Sequence, residues 1–337
     1  MQTRKLGRTG LEVSVLGYGC GAVGGLMVRG DPADQERAIA RALEHGINYF
    51  DTAAMYGNGE SERNLGRVLR SLKPQLYLGT KARIPAAEHH QIGAAVTASL
   101  EASLKRLQRE QVDLFQLHNH LVTDGHIGTN GEPDGLAPEI VLGEVVPAFE
   151  RLRQQGKTRF CGITAVGDTA ALRKIVDAGP FDTAQVSYNM LNPSAGEAVA
   201  TGYPAHDFGD LLAHARAASM GVIAIRVLAA GALSGVESRH PLGSPNVAPI
   251  GSGRDYRVDA ERARRLEPLV REGFADSLIE AAIRFVIAHD AVSTALVGTS
   301  TIDELEYAVR AVEKGPLPRT ALDRLRTLQH GFVGEAR

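Results

Sequence analysis

Val112-Asp113-Leu114-Phe115-Gln116-Leu117-His118 is a short, mostly apolar run that ends on an imidazole. A run of this length, bounded by polar stretches, reads as a strand buried on both faces, as in a parallel sheet. The segments on either side have a different period. Ile92–Leu107 places Val96, Leu100, Leu104 and Leu107 on one helical face, and Pro138–Gln155 is a second helix candidate.

Working outward, the same unit recurs along the chain. Strands are expected at Val15–Gly17, Ile47–Asp51, Leu76–Thr80, Val112–Leu117, Phe160–Ile163, Thr183–Val186, Val222–Ile225 and Thr294–Val297. Helices are expected at Asp34–His45, Ser61–Leu72, Ile92–Leu107, Pro138–Gln155, Thr169–Asp177, Gly209–Ser219, Ser277–Ala288 and Ile302–Glu313. Strand–helix alternation repeated eight times predicts an α/β protein, a closed (β/α)8 TIM barrel in preference to an open sheet. An open dinucleotide-binding sheet would show a glycine turn opening its first helix. Gly17, Gly19, Gly21, Gly24 and Gly25 imitate one, but helical spacing starts only after Asp31-Pro32. Gln2–Leu6 and Glu12–Ser14 flank Gly7-Arg8-Thr9-Gly10 and predict a β-hairpin capping the closed end of the barrel. No linker divides residues 1–337, which are expected to form one domain.

Bulk properties narrow the function. With 44% hydrophobic residues the chain can bury a large core. A net charge of -2 with no basic run argues against nucleic-acid or anionic-membrane partners. Cys20 and Cys161 lie far apart and show no zinc spacing. His118-Asn119-His120 has the form of a metal-binding pair, but no later ligands complete it, so no metal is expected. The N-terminus lacks an apolar signal core and no stretch is apolar enough to span a bilayer, which leads us to expect a cytoplasmic protein.

Three long loops, His120–Ala137, Asn189–Phe208 and Ser234–Asp259, follow the fourth, sixth and seventh strands. In a barrel they share one rim, where active sites sit. Asp51, Lys81 and His118 end three adjacent strands on that rim, with Tyr56 on a loop beside them. Singly, each has a plainer reading as a loop acceptor, rim charge, core imidazole or packing ring. Together they form a proton relay. A phenol with its ordinary pKa of about 10 is a poor acid at neutral pH. A neighbouring ammonium favours its phenolate, and a carboxylate keeps that ammonium charged and in place. An imidazole can orient a carbonyl oxygen. Such a set suits an oxygen that gains negative charge when hydride adds to a carbonyl.

The sequence resembles the aldo-keto reductase family. The resemblance runs through Arg4–Gly10, Leu16-Gly17-Tyr18-Gly19, Gly46–Ala53, Tyr56-Gly57, Ser61-Glu62, Lys81, Asp113–His118, Gly162-Ile163-Thr164, Gln185–Asn189 and Val297–Ser300. It implies an NAD(P)H-dependent oxidoreductase that reduces small aldehyde or ketone carbonyls, or runs the reverse. Tyr56 would donate the proton, helped by Lys81 and Asp51, and His118 would position the carbonyl. Positions similar to the family's cofactor contacts are Gly19, Cys20, Asp51, Thr164, Gln185, Ile225, Arg226, Leu228, Gly298, Thr299, Ser300 and Glu304.

Departures from the family pattern bear on the cofactor. Thr164-Ala165 replaces a Ser-Asn pair that holds the nicotinamide amide. Ile225 replaces a stacking aromatic, and Arg226-Val227 replaces Ser-Pro. Arg226 reads either as a structural ion pair or as a contact to a cofactor phosphate or acidic substrate. No basic residue for a ribose 2′-phosphate follows the eighth strand, where Asp303 and Glu304 stand instead, and Ala308 replaces an adenine-contacting Asn. The cofactor is therefore NADP(H) or NAD(H), with relaxed preference or a preference for NAD(H) expected. The alternative function is a non-catalytic dinucleotide-binding protein that reports redox state. Tyr188, Asn189, His206, Phe208 and Tyr256 are candidate pocket or loop-packing residues.

Overall fold

Eight parallel strands close into a barrel in the computed structural model, which describes residues 1–123, 134–247 and 255–335. Parts of two rim loops read from the sequence, residues 124–133 and 248–254, therefore lie outside the described residues. The N-terminal strands β1 (Thr3–Lys5) and β2 (Glu12–Ser14) pair antiparallel as the expected hairpin. The barrel strands are β3 (Leu16–Gly19), β4 (Tyr49–Asp51), β5 (Tyr77–Ala82), β6 (Val112–Leu117), β7 (Thr158–Ala165), β8 (Thr183–Ser187), β9 (Gly221–Ile225) and β10 (Val292–Gly298). They run in chain order around the wall, and β10 pairs with β3 to close it.

Several strands reach further than their apolar runs. Ladder pairing with β6 carries β5 to Ala82, through Lys81↔Gln116, and pairing with β8 carries β7 to Ala165. Four helices escaped the sequence reading: Leu26–Arg29, Tyr256–Arg264, Pro268–Arg271 and Arg319–His330. The helix expected from Asp34 starts at Pro32 instead. Asp31 caps it by accepting from the Ala33 amide at 2.8 Å, and Pro32 sits where its missing N–H costs nothing. The helix over Pro138–Gln155 is interrupted by a π-helical turn at Val141–Val145. Pro147, just beyond, lacks the N–H that would continue the regular ladder. Among the described residues no helix is long and apolar enough to cross a membrane.

Side-chain alternation layers the barrel interior. Residues two apart on a strand face the same side, so Tyr49 and Asp51 both point inward, and so do Leu114 and Gln116. The lower layer is apolar: Tyr49, Leu114 and Ile223 pack on Leu6, Leu11 and Val13 of the hairpin. The hairpin thus plugs the floor. Its turn presses so closely on β9 that a Cβ on Gly7 (φ +49°) would lie 2.1 Å from the Gly221 amide nitrogen. The layer above is polar and lies at the C-terminal ends of the strands, where Asp51, Lys81, Gln116 and Gln185 meet.

Candidate active site

Asp51 and Lys81 are the centre of that polar layer, with side chains 1% and 0% exposed. Lys81 Nζ is salt-bridged to Asp51 Oδ1 and donates to the Thr52 carbonyl at 2.8 Å. Asp51 Oδ2 accepts from Gln185 Nε2 at 2.6 Å, Gln116 Nε2 at 3.1 Å and Tyr49 Oη at 3.1 Å. A buried carboxylate surrounded in this way is fully satisfied and cannot swing. The remaining donor direction of Lys81 reaches Tyr56 Oη at 3.2 Å. Its ammonium also stands 4.8 Å from the centre of the Tyr56 ring. Burial lowers the Lys81 pKa, but the Asp51 carboxylate and then Tyr56 outweigh it, and the net shift is upward. Lys81 is therefore a permanent cation aimed at the phenol oxygen.

His118 follows β6 and meets the Tyr56 ring edge-on, with centroids 6.0 Å apart at 86°. Burial, and then the positive charges of Lys81, Arg83, Arg226 and His120, hold its pKa well below the ordinary value. The imidazole is neutral at physiological pH. Its Nδ1 is buried with no hydrogen-bond partner among the described residues, which leaves Nε2 as the nitrogen able to reach a bound molecule.

These groups open into a long cleft of about 670 Å3, inside the size range of small-molecule sites. Along it lie Gly19, Asp51, Tyr56, His118, Thr164, Gln185, Ile225, Arg226, Leu228, Gly298, Thr299, Ser300 and Glu304, gathered from seven strands and their loops. Cys20 does not line it. Alternation turns its side chain outward into the layer between strands and helices, where it is 1% exposed and burial pushes its thiol pKa up. Its backbone serves the site instead: the amide donates to the Asp51 carbonyl at 2.9 Å, and the carbonyl accepts from Ser61 Oγ at 2.8 Å.

Of the five loop residues weighed for the pocket, only Tyr256 lines the cleft. Tyr188 stacks on Phe285 at 4.8 Å, His206 packs edge-on to Phe208 at 4.6 Å, and Asn189 binds the backbone of its own loop and of Arg226. These four are packing residues. Asn119 is likewise structural, joining Ile84 to Asp134. Among the described residues no cluster of His, Cys, Asp and Glu could hold a metal ion.

The sequence reading missed three features. Arg83 lines the cleft and is bound by both carboxylate oxygens of Asp134, one at 2.9 Å. Only the fold brings together two residues 51 positions apart. A strap after β9 also ties across to the loop after β3: Arg29 binds the Leu242 and Ala22 carbonyls at 2.7 and 2.5 Å, and Ser244 Oγ binds that of Ala22 at 3.1 Å.

The third is the bare backbone at Gly79, which is what lets Asp51 fit. A Cβ there would lie 2.6 Å from Tyr49 Oη and 3.1 Å from Asp51 Oδ2. Gly79→Ala is expected to displace Asp51 and so loosen Lys81. Overpacking of this kind costs about 1–3 kcal/mol, and a misplacement near 1 Å lowers turnover about 100-fold. Urea melts and initial rates measure both, and wild-type values in each would show that the packing there is slack.

With strand ends, relay and cleft in place, comparison with known proteins decides the kinship. Residues 15–330 match the profile described as the Aldo/keto reductase family.

The chain belongs to the aldo/keto reductase family.

It is 27% identical over 315 residues to L-galactose dehydrogenase of Arabidopsis thaliana, covering 93% of this chain and 88% of the plant protein. It is 30% identical over 208 residues to aldo-keto reductase YhdN of Bacillus subtilis, covering 59% of this chain and 57% of that protein. Among solved structures, aldo-keto reductase AKR11C1 from Bacillus halodurans in its holo form superposes with a TM-score of 0.70 at 25% identity, over 100% of this chain and 98% of that one. This aldo/keto reductase is thus an oxidoreductase on a TIM barrel, and its relatives are enzymes.

Proposed function

We propose that this protein reduces aldehyde or ketone carbonyls with a nicotinamide dinucleotide, or runs the reverse oxidation, using Tyr56 as proton donor. The observation that carries this reading is the 3.2 Å approach of Lys81 Nζ to Tyr56 Oη, with the ammonium locked from behind by Asp51. The carbonyl oxygen would lie between Tyr56 Oη and His118 Nε2. Tyr56 gives up its proton as negative charge builds on that oxygen, and Lys81 meets the charge left on the phenol. Neutral His118 donates a hydrogen bond that orients the carbonyl without protonating it.

The cleft suits the cofactor that the family uses. Thr164 lines the cleft, and its buried Oγ1 has no hydrogen-bond partner among the described residues, which fits a polar group of a bound ligand. Gly19, Thr164, Gln185, Ile225 and Leu228 would surround the nicotinamide end, and Gly298, Thr299, Ser300 and Glu304 the nucleotide end. When bound, the dinucleotide supplies the hydride. Asp51–Lys81–Tyr56 has no evident use in a protein that only binds it, which favours catalysis over the redox-sensing alternative.

Glu304 argues for NADH. Its Oε2 accepts from the Ser300 amide at 2.6 Å, so a carboxylate is fixed at the nucleotide end. Arg239, the cation across the cleft, is committed to the Ser244 and Ala230 carbonyls. A 2′-phosphate there would forgo charge-assisted hydrogen bonds of about 1.5–3 kcal/mol each. Turnover with a panel of aldehydes, followed by dinucleotide absorbance, tests the reaction. NADH is expected to show a Michaelis constant no higher than that of NADPH. A hundredfold advantage for NADPH would refute the assignment of Glu304, and no turnover with either would refute the reaction.

A further inference from the structure

The charges at the reacting end of the cleft do not balance. Lys81 is paired with Asp51, and Arg83 with Asp134. Arg226 lines the same cleft, and its guanidinium has no hydrogen bond or ion pair among the described residues. Glu304, the other carboxylate on the cleft wall, holds the Ser300 amide at the nucleotide end.

The backbone beneath this cation is fixed. The Arg226 carbonyl accepts from the Ala229 amide at 2.7 Å and from Asn189 Nδ2 at 3.2 Å. Arg226 has φ +58°, and Ala229 and Ala230 follow at +47° and +57°. Left-handed conformations are unfavourable for residues with a Cβ and persist only where the surroundings over-determine them. The side chain is exposed and lines the cleft. Surrounding protein lowers its pKa, while the Tyr56 charge acts to raise it. Met55, Val166 and Ile225 supply apolar wall in the same cleft.

A guanidinium fork matches the two oxygens of a carboxylate. We propose that the carbonyl substrate carries a carboxylate on an apolar body, and that Arg226 is the residue that selects it. This rests on the reaction proposed above and names its substrate class. A cofactor phosphate is the competing anion, and the test separates the two.

The probes are 4-carboxybenzaldehyde and its neutral counterpart, methyl 4-formylbenzoate, assayed on wild type, Arg226→Gln and Arg226→Lys. Wild type should favour the acid over the ester in kcat/KM. Arg226→Gln should reduce that ratio roughly 10- to 100-fold, mostly through the Michaelis constant of the acid, and Arg226→Lys should keep part of it. Dinucleotide dissociation constants should shift far less than the ratio does. Calorimetric titration of both compounds onto the protein loaded with oxidised dinucleotide reads the same preference without turnover. Failure of catalysis would therefore count against the reaction and leave the selectivity measurable. A wild type indifferent to the carboxylate, a ratio unaltered in Arg226→Gln, or a loss confined to dinucleotide affinity would each overturn the proposal.

Discussion

Replacing Tyr56 with phenylalanine is expected to lower kcat/KM for aldehyde reduction by about 100- to 10,000-fold, the range that a positioned acid contributes. Dinucleotide affinity should stay within a few-fold of wild type. The ring keeps its shape, so its edge contact with His118 and its place 4.8 Å from the Lys81 ammonium both survive. Only the hydroxyl is lost, and with it the hydrogen bond from Lys81 Nζ. Stopped-flow rates and fluorescence titration of the reduced dinucleotide measure the two effects separately. A fall of less than tenfold in turnover would mean that another group supplies the proton.

Asp51→Asn should give the largest loss of stability of any single change at the site. It leaves an ammonium with no exposed surface facing a neutral amide, and breaking a buried pair from one side costs about 3–5 kcal/mol. Tyr49, Gln116 and Gln185 would also lose the anion that accepts their hydrogen bonds. Turnover should fall about 100-fold or more, since Lys81 would no longer be held against Tyr56. The double variant Asp51→Asn/Lys81→Met should recover much of the stability and none of the activity, because the stranded charge is gone while the relay stays broken. Urea unfolding midpoints of the set provide the measurement, and an additive cycle would show that the pair is not coupled.

The pH dependence of that stability has a definite sign. In the folded state burial disfavours the Lys81 charge, but Asp51 and Tyr56 more than compensate, and its pKa lies above the ordinary 10.5. The folded chain holds this proton more tightly than the unfolded chain does. The contribution is therefore complete below pH 10.5 and is lost as pH rises through the folded value. The wild-type midpoint should fall at strongly alkaline pH more steeply than that of the double variant, which lacks this titrating group.

The strands were readable because each is a short β-branched or apolar run bounded by polar sequence, and Val112–Leu117 and Ile92–Leu107 emerge with their expected ends. Missed helices have separate causes. Tyr256–Arg264 is dense in charge and buries only Asp259, Ala260, Arg262 and Ala263, so it shows no apolar stripe. Arg319–His330 carries Ala321 and Leu325 at helical spacing, but no strand precedes it in a pattern read as strand then helix. Asp51, Tyr56, Lys81 and His118 could be named from sequence because strand ends share one rim. What holds them there could not. Gln116 and Gln185 reach Asp51 from 65 and 134 positions away, and no local pattern marks such a contact.

The floor plug also sets an order of assembly. Leu6, Leu11 and Val13 cover the barrel interior from below, while Arg4 binds the Ile287 and Val292 carbonyls, the latter 288 positions away at 2.8 Å, and β3 finds its second neighbour only in β10. During synthesis the hairpin leaves the ribosome before the strands it contacts and is thus among the last segments to gain its contacts. Until β10 emerges, both free sheet edges and the underside of the nascent barrel remain open, the kind of exposure that makes long-range topologies slow to fold and chaperone-dependent.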